Sequence, residues 1–95
     1  MEPIVITAVL KAKSGSEGEL EKALQQVIQP SREEDGCIQY DLHQSTEDPG
    51  VFVFYERWEN EASLKAHIQS AHYQTYRQRA EGILESREVY RLKLV

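Results

Sequence analysis

The sequence predicts an α+β fold of the ferredoxin-like kind, βαββαβ, in which two helices lie on one face of a four-stranded antiparallel sheet. Three observations carry this reading. Two stretches repeat apolar residues at helical intervals, four stretches are β-branched or strictly alternating, and turn residues separate most of them. At 95 residues the chain forms one domain, residues 1–95, because two separate cores would each be too small to bury enough apolar surface.

The elements follow in order. Residues 4–13, "IVITAVLKAK", are rich in β-branched side chains and stop at Ser14-Gly15, as a strand does. Ser16 and Glu19 have capping-box spacing, and Leu20, Ala23, Leu24, Val27 and Ile28 recur as one face of an amphipathic helix. That helix should weaken at Gln29-Pro30, since a residue before proline avoids the helical region, with room for one more turn to Glu34. Residues 37–44 alternate, with Ile38, Tyr40 and Leu42 on one side and Cys37, Gln39, Asp41 and His43 on the other. "STEDPG" is turn chemistry, and it joins this second strand to a third, "VFVFYERW", as an antiparallel hairpin. Asn60 can cap a second helix with an apolar stripe of Leu64, Ile68 and Ala71, reaching Glu81 and able to break near Ser70. Gly82 is its stop signal, and "REVYRLKLV" alternates as the last strand.

The sheet has two apolar faces. The first strand offers Ile4, Ile6, Ala8 and Leu10 on one side and Val5, Thr7 and Val9 on the other; the third offers Phe52, Phe54 and Trp58 against Val51, Val53 and Tyr55. Two helices cover only one face, so the other is expected to meet its own copy, giving a homodimer through facing sheets.

Composition narrows the function. With 40% hydrophobic and 28% charged residues the chain has the balance of a soluble globular protein. Sixteen acidic against eleven basic residues give a net charge of -5, and no basic cluster could track a phosphate backbone, so nucleic acid is excluded as an expected partner. No basic n-region opens the chain and no apolar run approaches the roughly 18 residues of a membrane helix. The lone Cys37 has no internal partner. The expectation is a cytoplasmic protein, with no membrane partner.

Chemistry concentrates in "YERWENEASLKAHIQSAHYQTY", residues 55–76, which holds the only tryptophan and two of the three histidines. Phe52, Phe54, Glu56 and Trp58 share one face of the third strand, the side expected beneath the helices, where they would line a pocket. On a continuous helix advancing about 100° per residue, His67 and His72 flank the apolar stripe, with His67 nearer its centre. An imidazole there reaches both a buried ligand and water and can take a proton near neutral pH, so His67 is the candidate base. The same geometry argues against a metal: histidines five apart diverge by about 140°, unlike the pair of a zinc helix. Cys37, opening a strand, reads as apolar filler, and no glycine-rich phosphate loop is present.

With these residues in place the chain resembles the antibiotic biosynthesis monooxygenase (ABM) domain family over nearly its whole length. The resemblance rests on "ITAVLKAKSG", "LEKALQQVIQPSREEDGCIQYDLHQS" and, most specifically, "FVFYERWENEASLKAHIQSAHYQTY". It implies a dimeric α+β barrel. It also implies oxidation of a quinol- or anthrone-like aromatic substrate by molecular oxygen, without metal, flavin or any other cofactor. By resemblance Phe54 and Trp58 would pack the ring and His67 would be the base, while Tyr40, His72 and Tyr76 would donate hydrogen bonds. Glu56 completes the expected substrate-binding set. Haem-degrading relatives carry an asparagine and a histidine where this chain has Ala8 and Arg77, which argues against haem. Two alternatives stay open: isomerisation of a small phosphorylated carbonyl compound, and a non-catalytic dimeric module binding aromatic ligands. A phosphorylated substrate would need positive groups near the pocket, and only Arg57, Lys65, Arg77 and Arg79 are close to it in sequence, so the balance leans to quinols.

Overall fold

The computed structural model describes residues 2–95 and keeps the predicted order, except that the second helix is two. The elements are β1 (Ile4–Ala12), α1 (Glu17–Arg32), β2 (Cys37–Gln44), β3 (Val51–Trp58), α2 (Glu61–Gln69), α3 (Ala71–Glu81) and β4 (Leu84–Leu92). The sheet runs β2-β3-β1-β4, and every neighbouring pair is antiparallel. This is the ferredoxin-like arrangement with one helix divided.

Strand periodicity decides what is buried. Ile6, Ala8 and Leu10 of β1 and Phe52, Phe54, Glu56 and Trp58 of β3 point to one face, where they meet Leu20, Leu24 and Val27 of α1. Burying each large apolar side chain contributes about 1.5–3 kcal/mol, so this layer supplies most of the drive to fold. The opposite face carries Val5, Val9, Val53 and Tyr55, outside that core cluster, while Tyr90 and Leu92 of β4 are exposed.

Several local expectations are corrected. α1 runs through Pro30 to Arg32, because a proline in the last turn forgoes only one late hydrogen bond, and Glu33 still closes the end by donating to the Gln29 carbonyl at 3.2 Å. Ser16 precedes that helix without a side-chain capping bond; Glu17 instead accepts from the Gly15 N–H at 3.0 Å. A bulge between Cys37 and Gln39 breaks the alternation of β2. It places Cys37 opposite Trp58 and packs it against the core, and it leaves Ile38 exposed. In α2 the buried positions are Leu64 and His67, whereas Ile68 and Ala71, expected in the apolar stripe, are exposed.

The turn between α1 and β2 is tightly constrained. Gly36 has φ +84°, and a Cβ there would stand 2.0 Å from Ser63 Oγ and 2.6 Å from Ser63 Cβ. Only glycine meets both demands. The contact seats the start of α2 against this turn, and the Gly36 carbonyl accepts from Glu59 N–H at 2.9 Å. Glu34 sits just before it.

Candidate active site

Ser70 makes the site. It ends α2 and begins α3 with extended backbone (φ -68°, ψ 153°), its N–H bonds to the His67 carbonyl at 3.1 Å, and its hydroxyl donates to that same carbonyl at 2.6 Å while accepting from Tyr73 N–H. A serine can serve both ends because its hydroxyl competes with the helical backbone for partners. The bend cancels the divergence expected of two histidines on one continuous helix. His67 Nδ1 and His72 Nε2 each lie 2.7 Å from the same oxygen, Oε2 of Glu34.

That shared oxygen assigns the ring protons. A carboxylate only accepts, so the proton of His67 sits on Nδ1 and that of His72 on Nε2. The Nε2 of His67 is left bare. It is shielded from solvent and has no hydrogen-bond partner among the described residues. Burial depresses the His67 pKa, against the opposing pull of Glu34, so the ring is neutral at neutral pH. Aromatic rings hold it in place: Trp58 at 4.5 Å between centroids, Tyr73 at 5.0 Å and Tyr40 at 5.4 Å.

The cluster also offers three potential metal-ligand atoms within 4.8 Å of one another. Donors around a tetrahedral cation at about 2.0–2.1 Å stand roughly 3.3 Å apart. Both imidazoles here approach the carboxylate more closely, at 2.7 Å, so the arrangement is a hydrogen-bonded one.

Beside His67 opens a cavity of about 380 Å³ between sheet and helices. Ile6, Ala8, Phe54 and Leu64 give it apolar walls, and Tyr40, Glu56, His67, Tyr73 and Tyr76 face it with polar groups. Arg77 of α3 and Arg87 and Arg91 of β4 complete the lining. The size and the mix of apolar walls with few polar groups suit a small-molecule ligand. Glu56 accepts a hydrogen bond from Trp58 Nε1–H at 3.0 Å, and burial pushes its pKa up to about 7, although that bond and the charge of Arg87 act the other way. Burial likewise raises the hydroxyls of Tyr40 and Tyr76, which keeps them protonated as donors. Burial raises the Cys37 thiol too, which leaves it a poor nucleophile.

With this geometry established, comparison with known proteins gives one answer. A family profile described as antibiotic biosynthesis monooxygenase matches residues 3–79. The chain belongs to the antibiotic biosynthesis monooxygenase family. It is 34% identical over 83 residues to YcnE of Bacillus subtilis (strain 168), which carries a provisional monooxygenase name, and the match covers 87% of each chain. The solved structure of PA3566 from Pseudomonas aeruginosa shares 32% identity with a TM-score of 0.96, covering 100% of this chain and 96% of that one. Rv0793 from Mycobacterium tuberculosis, another provisionally named monooxygenase, superposes with a TM-score of 0.91 at 30% identity over 99% of this chain and 96% of its own.

In this ABM domain five of the seven expected site residues, Tyr40, Phe54, Glu56, His67 and Tyr76, line the cavity. The other two stand behind it. Trp58 is fully buried beneath His67, and His72 lies on the far side of Glu34, where its Nε2 is already engaged. Sequence reasoning missed Glu34, Tyr73, Arg87 and Arg91. Glu34 lies in a turn, where no periodicity marks a residue. Both arginines lie inside the predicted "REVYRLKLV" stretch and alternate inward on β4, which begins three residues earlier at Leu84. Extending the alternation backwards from Val89 would have placed Arg87 on the cavity side.

Proposed function

We propose that this ABM domain is a cofactor-free monooxygenase that oxidises a quinol- or anthrone-like aromatic substrate with molecular oxygen, and that His67 is its base. The observation that carries this reading is the bare, buried Nε2 of His67 beside an aromatic-lined cavity, with its tautomer fixed by Glu34. A general base needs an unprotonated nitrogen near its target, and this nitrogen spends none of its capacity on the protein.

The chemistry then asks little of the chain. His67 Nε2 takes the phenolic proton, and the resulting phenolate is electron-rich enough to reduce oxygen. One oxygen atom bonds to a ring carbon and becomes a carbonyl; the other leaves as water. All four electrons come from the substrate, so a dihydroxynaphthalene and one O₂ give a hydroxynaphthoquinone and one water. Glu56, near pKa 7, can return a proton as the oxygen–oxygen bond breaks, and Tyr40 and Tyr76 stabilise the developing negative charge. The protein works in the cytoplasm as a homodimer, with Val5, Val9, Val53 and Tyr55 meeting the same face of a second copy. No helix among the described residues is long and apolar enough to cross a membrane.

Oxygen uptake with a panel of naphthoquinols and anthrones tests the proposal. Uptake above each compound's autoxidation, lost in His67→Ala, is the expected result; uptake no faster than autoxidation across the panel overturns it. A second reading, isomerisation of a small phosphorylated carbonyl compound with His67 as the same base, is favoured by one observation. The fold brings Arg77, Arg87 and Arg91 to a cavity whose sequence neighbourhood looked poor in positive charge.

A further inference from the structure

Two cations face this cavity, and among the described residues neither forms an ion pair. Arg87 Nη2 donates to the Tyr73 hydroxyl at 2.9 Å, and Arg77 Nη1 approaches the same oxygen at 3.4 Å. The Nε–H of each arginine is buried and unpartnered. Arg91 differs, since both its terminal nitrogens are bonded to Glu61. Glu56, the one carboxylate lining the cavity, forms no ion pair with Arg77 or Arg87 among the described residues.

This is a costly arrangement to leave alone. A buried N–H without an acceptor costs about 1–3 kcal/mol, and two guanidinium groups drawn to one hydroxyl repel each other. None of the acidic side chains among the described residues pairs with either. An oxyanion entering the cavity would correct each fault together: it accepts from the planar donors of both arginines and cancels their repulsion.

We propose that the substrate carries an acidic substituent, a carboxylate or a phosphate, which Arg77 and Arg87 receive while Tyr73 holds the two guanidinium groups in place. The ring then lies over Phe54 with its ionisable position towards His67. The inference rests on reading this cavity as the substrate site, but it does not depend on oxygen chemistry.

Calorimetric titration without oxygen, using 1-naphthoate, 1-naphthyl phosphate and the neutral 1-naphthol, tests it. In the wild type at least one acid should bind about tenfold tighter than naphthol or better, as expected for charge-assisted bonds, and the advantage should shrink in high salt. The double variant Arg77→Gln, Arg87→Gln should bind naphthol as the wild type does and lose the preference. Whichever acid binds tighter names the oxyanion. Equal wild-type affinity for all three compounds overturns the proposal, and that comparison requires no variant to fold; so does a preference that survives in the double variant. Acid preference without oxygen uptake on quinols that carry the preferred acid would retain this inference and remove the monooxygenase reading.

Discussion

Glu34 and His67 stand 33 positions apart in the chain, and their side chains meet at 2.7 Å. The contact converts an ordinary buried histidine into one with a defined tautomer and an unpartnered nitrogen. It also ties the α1–β2 turn to α2, so the orientation of the proposed base depends on a loop that never reaches the cavity.

Removing the proposed base should be the most severe single change. His67→Ala is expected to lower turnover of a responsive quinol by about 10²–10⁴-fold while the dimer survives. Steady-state oxygen uptake beside sedimentation measures both, and unchanged turnover takes His67 out of the mechanism.

Glu34→Gln should act through His67. Glu34 raises the affinity of that ring for protons, against burial and the neighbouring His72, so its loss lowers the His67 pKa further. Turnover should fall by about 10–100-fold, less than on losing the base itself, and the acid limb of kcat/KM should move to lower pH. An acid limb that stays in place would show that Glu34 does not set the base.

Glu56 should leave a signature in stability. Its folded pKa of about 7 lies above its unfolded value, so the folded state binds the extra proton and stability falls as pH rises from about 4.5 to 7. The loss is on the order of 3 kcal/mol once the carboxyl is ionised. Glu56→Gln should therefore raise Tm at pH 8 and give little or no gain at pH 4, as read by thermal melts across the range. A difference between variant and wild type that is flat with pH contradicts the assignment.

Val53→Asp tests the outer sheet face. A carboxylate in a desolvated sheet interface costs several kcal/mol, so a dimer at micromolar concentration should become monomeric. A monomeric wild type in sedimentation, or a variant that stays dimeric, rejects the facing-sheet dimer.

Exhaustive dialysis against a chelator should leave oxygen uptake unchanged, because the two histidines already share the Glu34 oxygen by hydrogen bonds. Activity lost to the chelator and restored by one divalent ion would instead make Glu34, His67 and His72 ligands.

Much of the fold was legible in the sequence, because alternation and helical spacing report burial directly. Phe54 and Glu56 were placed that way, and both line the cavity; Tyr40, assigned through the family resemblance, lines it too. The histidine pair was misjudged for one reason: counting 100° per residue assumes an unbroken helix, and Ser70 breaks it. His67 consequently lies in the core rather than at its margin, at 1% exposure, and His72 turns back to Glu34. The partners Glu34 and Tyr73 meet His67 only through tertiary packing, which no local pattern in one sequence records. The bulge after Cys37 is hidden for a related reason, since the residues of β2 alternate as if it were regular.

Gly36 illustrates how far a site can extend beyond the atoms that touch a ligand. Any side chain there must push Ser63, and with it the first turn of α2, away from the turn that carries Glu34. In a saturation-mutagenesis screen for activity, this glycine would therefore tolerate as little change as the base itself, and loss-of-function alleles should gather at a position with no chemistry of its own.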